Sequence, residues 1–118
     1  MEADGQTGGV ALKPCPYLFV YGSLRSDAAP GRQPRLIDWA RKLERASLGG
    51  TLSQFNGYPA AVPGPEGRID GEVWEILQPD LAWAALDAWE GADYRRELVI
   101  VDLASPPIHL ECWAYLLA

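Results

Sequence analysis

Two short stretches of this chain carry residue types that could do chemistry. The first is Tyr17-Leu18-Phe19-Val20-Tyr21-Gly22-Ser23-Leu24, an apolar run that stops on a Tyr-Gly-Ser-Leu turn. A strand that ends on small residues can offer bare backbone N–H groups to a ligand oxygen. Gly22 has no Cβ and tolerates backbone angles closed to other residues, so a small molecule can approach its backbone closely. Ser23 adds a hydroxyl that both donates and accepts. The second stretch is Leu86-Asp87-Ala88-Trp89-Glu90-Gly91-Ala92-Asp93-Tyr94-Arg95-Arg96. It sets a carboxyl, Glu90, one residue before a glycine at an expected helix end, where the helix dipole disfavours a further negative charge by about 0.3–1 kcal/mol. That field, with Trp89 and Tyr94 alongside, favours the protonated form and raises the pKa, which suits proton transfer near neutral pH.

Each stretch also has a plain reading. Strand-Gly-Ser turns are common, and Glu90 reads equally as a solvated glutamate on a frayed turn. Tyr21, Tyr94 and Tyr115 are further candidates to line a site, yet each also fits an ordinary half-buried aromatic. Arg95 and Arg96 suit a substrate carboxylate, but adjacent strand residues face opposite ways, so at most one can serve a given site.

Other chemistries find little support. The single histidine, His109, and the widely separated Cys15 and Cys112 do not make a zinc set. A Ser-His-Asp arrangement of Ser23 with His109 lacks the Gly-x-Ser-x-Gly elbow, and His109 reads as a residue of a terminal strand. A carboxylate-only metal site at Asp87, Glu90 and Asp93 competes with their reading as helix-end residues. No phosphate loop or Gly-x-Gly-x-x-Gly occurs, so no cofactor is expected. The net charge of −6, without a basic stripe interleaved with aromatics, argues against nucleic acid as a partner. Two cysteines do not form a secreted disulfide scaffold, and no leader or membrane-length apolar run is evident, so reduced thiols and a cytoplasmic location are expected.

The elements that must position these residues follow from periodicity. With 118 residues, 48% of them apolar and five tryptophans, the chain suffices for one core without metals or disulfides. Residues 1–14 read as a flexible tail and 15–118 as a single domain. Strand one is 17–22. Leu36, Trp39, Ala40, Leu43 and Ala46 recur at three- and four-residue spacing and predict an amphipathic helix over 35–47, with Arg41, Lys42, Glu44 and Arg45 outward. A strand over 48–55, the turn signal Asn56-Gly57-Tyr58-Pro59, a second turn at 63–67 and a strand over 68–77 come next. Pro79 opens a helix whose apolar face is Leu81, Ala82, Ala85, Leu86 and Trp89, up to Gly91. Two strands, 97–103 and 108–117, flank the Ser105-Pro106-Pro107 turn. The order β-α-β-β-α-β-β predicts an α+β domain whose curled sheet tends toward a small mixed β-barrel with flanking helices.

Taken together, Phe19-Val20-Tyr21-Gly22-Ser23-Leu24, Gly57-Tyr58-Pro59, Gly71-Glu72-Val73-Trp74, Leu86-Asp87-x-x-Glu90-Gly91 with Tyr94-x-Arg96, and Ala114-Tyr115 resemble the gamma-glutamylcyclotransferase-like family. The resemblance runs in order from about Tyr17 to Tyr115. It implies a small mixed barrel with a pocket at its mouth, in which the backbone N–H groups of Tyr21, Gly22, Ser23 and Leu24 hold a γ-glutamyl group. Glu90 matches the family's catalytic glutamate, and Tyr94 and Tyr115 its pocket tyrosines. The implied reaction is closure of a γ-glutamyl amine or peptide on its own α-amino group, releasing 5-oxoproline and the free amine. The expected partner is thus a small γ-glutamyl molecule, not nucleic acid or membrane, and whether the chain forms a homodimer stays open. The rival reading is a non-catalytic small-molecule-binding domain of the same fold, since a fold does not fix an activity. A weaker one is a protein-interaction module, whose sign would be an exposed apolar patch.

Overall fold

The computed structural model describes residues 14–104 and 108–117. Five strands close into a barrel. They are β1 (Tyr17–Val20), β2 (Ala40–Phe55), β3 (Tyr58–Ile76), β4 (Tyr94–Leu103) and β5 (His109–Leu117). One helix, α1 (Pro79–Glu90), joins β3 to β4. Around the barrel the order is β1-β3-β2-β4-β5, and the parallel Leu18–Trp113 pair returns β5 to β1. The expected α+β mixed barrel is therefore present.

The dominant element is the long β2–β3 hairpin. Asn56 and Gly57 hold positive φ angles of 52° and 81°, and Phe55 pairs with Tyr58 across this two-residue turn, which sets the register of the ladder as far as Gly50 and Pro63. The segment 63–67, expected to be a turn, lies inside β3. The register slips there between Gly49 and Gly50, and residues 64–67 have no partner on β2.

The expected helix over 35–47 is not formed. Leu36–Asp38 make a single 3-10 turn, and β2 begins at Ala40. The reason is a bulge. Lys42 pairs with Trp74 and Glu44 with Val73, leaving Leu43 as one extra residue. Before it, Ala40 faces the outer core with Ile76; after it, Ala46 and Leu48 face the barrel interior with Ile69 and Val73. One inserted residue breaks the period of two and mimics helical spacing. Arg41, Lys42 and Arg45 are exposed as expected, but on a strand, where Arg41 pairs across to Glu75 at 2.5 Å and Lys42 to Glu72 at 3.5 Å.

Two cores result. Phe19, Ile69, Val73, Val101 and Cys112 fill the barrel, while Leu18, Val20, Leu24, Leu36, Trp74 and Ile76 pack beneath α1. Pro79 opens α1 as expected, but its buried stripe is narrower than the periodicity suggests: only Ala82 and Leu86 are buried, one turn apart, and Leu81 is exposed. Cys15 and Cys112 are free thiols. Among the described residues no helix is long and apolar enough to cross a membrane. Most of the expected tail and the whole Ser105-Pro106-Pro107 turn lie outside the described residues.

Candidate active site

A cavity of about 340 Å³ opens where the end of β1, the tip of the β2–β3 hairpin, the end of α1 and the start of β4 converge. Tyr21, Gly22, Ser23, Leu24, Glu90, Tyr94 and Tyr115 all line it. Residues far apart in sequence are thus brought to one space. Sequence reasoning assigned no site role to Phe55, Asn56, Tyr58 and Pro59, and considered Trp89 only as a neighbour of Glu90 and Asp93 only as a metal-site alternative; all of them line the cavity. The Asn56-Gly57 turn was legible, but that its tip reaches the cavity depends on the length of the paired hairpin.

Past β1, the Arg25 N–H donates to the Gly22 carbonyl at 3.1 Å and closes a tight turn. Among the described residues, the N–H groups of Gly22, Ser23 and Leu24 have no backbone or side-chain acceptor. Gly22 does not have a positive φ, so a left-handed backbone is not what requires glycine here. A Cβ on it would meet only Pro59 Cγ, at 3.8 Å. The space beside Gly22 is the cavity itself.

Glu90 is the last residue of α1, and Gly91, with φ 76°, turns the chain away. Burial pushes the Glu90 carboxyl up from its ordinary value of 4.5 to about 7. Its charge in turn adds to the burial that raises the Tyr94 hydroxyl. The tyrosine hydroxyls are engaged with protein. Tyr21 Oη donates to the Tyr115 carbonyl at 2.6 Å and accepts from the Ala61 N–H at 3.2 Å, and burial pushes it up to about 12. Tyr94 Oη donates to the Pro59 carbonyl at 3.2 Å, tying β4 to the hairpin tip. Tyr115 Oη donates to Asp87 at 2.6 Å; burial and this carboxylate hold the phenol well above its usual range. Asp87 also pairs with Arg96 at 3.1 Å, and the Arg96 guanidinium lies 4.3 Å from the Trp83 ring and 5.2 Å from that of Trp113. Arg96 is thereby held outside the cavity lining.

The charged residues that line the cavity are Glu90 and Asp93, both acidic. His109 lies elsewhere, exposed and 2.6 Å from Asp102, so no arrangement with Ser23 is assembled. Among the described residues no group of three or more His, Cys, Asp or Glu is placed to hold a metal ion.

The architecture is a closed five-strand α+β barrel in which the β1 turn and the Glu90 carboxyl face one cavity. The profile of the family described as gamma-glutamyl cyclotransferase, AIG2-like matches residues 18–118, and the chain belongs to that family. Among curated proteins none matches it significantly. Several solved structures share the fold. An AIG2-like protein from Mus musculus superposes with a TM-score of 0.67 at 22% identity, over 87% of this chain and 77% of that one. YkqA from Bacillus subtilis gives 0.69 at 28% identity, over 86% of this chain but only 35% of YkqA. A gamma-glutamyl cyclotransferase gives 0.62 at 24% identity, over 86% and 66% of the two chains.

Proposed function

We propose that this protein is a cyclotransferase that cleaves a γ-glutamyl amine or peptide. The observation that carries the reading is the meeting, on one cavity, of the unpaired Gly22–Leu24 amides and a Glu90 carboxyl held near neutrality. The substrate's own α-amino nitrogen attacks its γ-carbonyl carbon. A carbon–nitrogen bond forms within a five-membered lactam, the original amide carbon–nitrogen bond breaks, and 5-oxoproline leaves with the free amine. Because the nucleophile is intramolecular, the protein's work is to hold a folded conformer and move one proton. Glu90 takes that proton from the attacking amine and returns it to the leaving nitrogen. The amides of the β1 turn hold the substrate carboxylate or the developing oxyanion. No cofactor takes part.

The deciding experiment is a panel of γ-glutamyl amines, amino acids and peptides assayed for 5-oxoproline release. Release from at least one, abolished in Glu90→Gln, supports the reading. Saturable binding of 5-oxoproline with no turnover of any compound would leave a binding domain in its place.

A further inference from the structure

Glu72 is a carboxylate the proposed mechanism does not use, and it is buried at 6% exposure. Its placement follows from the pairing of β1 on β3. The last residue of β1, Val20, pairs with Glu72, and the neighbouring Gly71 allows this approach, since a Cβ there would run into the Val20 carbonyl and come within 2.7 Å of the Phe19 ring. From the outer face of β3 the Glu72 side chain then reaches across to the far side of the β1 turn. Its Oε1 accepts from the Ser26 N–H at 2.8 Å, and its Oε2 from the Ser26 hydroxyl at 2.6 Å. Trp74 Nε1 donates to it at 3.2 Å, and the Lys42 ammonium stands 3.5 Å away while donating to Ser26 Oγ at 3.1 Å. Both ends of the segment 21–25 are therefore tied to one residue, the entry through the Val20 pairing and the exit through Ser26.

We infer that Glu72 is a positioning residue that clamps the β1 turn, holding the Gly22, Ser23 and Leu24 amides in place at the cavity. This rests on the turn being the ligand cradle proposed above. A buried carboxylate is costly unless its oxygens are satisfied. Here the donors come chiefly from the loop it would hold. Burial alone would raise the carboxyl, but the Ser26 and Trp74 hydrogen bonds and the Lys42 charge outweigh it and keep it below the ordinary range. The clamp is thus a charged acceptor pair, the stronger kind of hydrogen bond.

The test compares Ser26→Ala and Glu72→Gln with Val101→Ala, a barrel-core change that lowers stability without touching the clamp. Backbone ¹⁵N order parameters are read at Gly22, Ser23 and Leu24, and kcat/KM is read with a γ-glutamyl compound the wild type turns over. In both clamp variants the order parameters should fall from about 0.85 toward 0.6. Over the same comparison kcat/KM should fall about tenfold, roughly the 1.4 kcal/mol of one lost hydrogen bond. Val101→Ala should lower Tm and leave both readings at the wild-type level. Rigid amides in both clamp variants, or loosened amides with unchanged kcat/KM, would overturn the inference. If Glu72→Gln does not fold, Ser26→Ala decides, because that side chain is exposed. If the wild type turns over no γ-glutamyl compound, the proposed activity fails and the order parameters still decide whether Glu72 holds the turn.

Discussion

The Tyr115 hydroxyl donates a 2.6 Å hydrogen bond to the carboxylate of Asp87, three residues before Glu90 on the same helix. With the Asp87–Arg96 pair, this fastens the C-terminal turn of α1 to β5 and β4, the turn that delivers Glu90 to the cavity. Tyr115 thus lines the site while its hydroxyl works for the scaffold. Tyr115→Phe is expected to cost about 1–2 kcal/mol of stability. It should lower kcat more than it raises KM. Thermal unfolding and steady-state kinetics check this; a pure rise in KM would assign the hydroxyl to substrate instead.

Glu90→Gln keeps the shape of the side chain and removes its proton transfer. Turnover should fall roughly 10²–10⁴-fold while 5-oxoproline affinity, measured by calorimetry, stays within about threefold. Wild-type turnover by the variant would remove Glu90 from the mechanism.

The raised carboxyl makes two pH predictions. Acting as the base, Glu90 must be ionised, so kcat/KM should rise with pH through about 7. The stability effect has the opposite sense. Below about 4.5 the group is protonated in both folded and unfolded chains; between there and about 7 the unfolded chain releases the proton and the folded one keeps it. Folding is therefore disfavoured increasingly across that window, and the penalty is complete above it. Glu90→Gln should melt higher than the wild type at pH 8 and together with it at pH 4. Equal melting temperatures at both pH values would mean the carboxyl is not raised.

Gly22→Ala separates fold from ligand. The added Cβ meets only Pro59 Cγ at 3.8 Å, and no left-handed backbone is required, so the variant should fold with stability within about 1 kcal/mol of the wild type. The methyl occupies ligand space, and 5-oxoproline should bind at least ~10-fold more weakly. Gly22→Val should prevent binding altogether. A well-folded Gly22→Val variant with wild-type affinity would show that the turn is not the cradle.

Exhaustive dialysis against a chelator should leave turnover of a γ-glutamyl amide unchanged, because an intramolecular amine needs no Lewis acid to activate it. Activity lost on dialysis and restored by a divalent ion would displace the general acid/base role given to Glu90.

Much of the site was written in local chemistry. A strand ending on Tyr21-Gly22-Ser23-Leu24, a helix opened by Pro79 and closed at Gly91, and the Asn56-Gly57 turn are each set by the backbone preferences of a few neighbouring residues, so they could be read directly. The direction of the Glu90 shift was expected from the helix end and its neighbours, whereas its cause is burial. Residues 35–47 were not readable in this way. Their local spacing favours a helix, but the long β3 ladder pairs Ala40 onward as a strand, and the bulge at Leu43 hides the alternation. Likewise, no spacing in the sequence says that Tyr21 bonds Tyr115, that Asp87 holds Tyr115 and Arg96, or that Glu72 reaches Ser26. Those partners are 94, 28, 9 and 46 residues apart, and the pairing of β1 with β3 and β5 and the docking of α1 on the sheet bring them together. Local turns and caps depend on short-range sterics that the sequence carries openly; the burial, pairing and pKa of the site depend on which strands meet, which the tertiary structure decides.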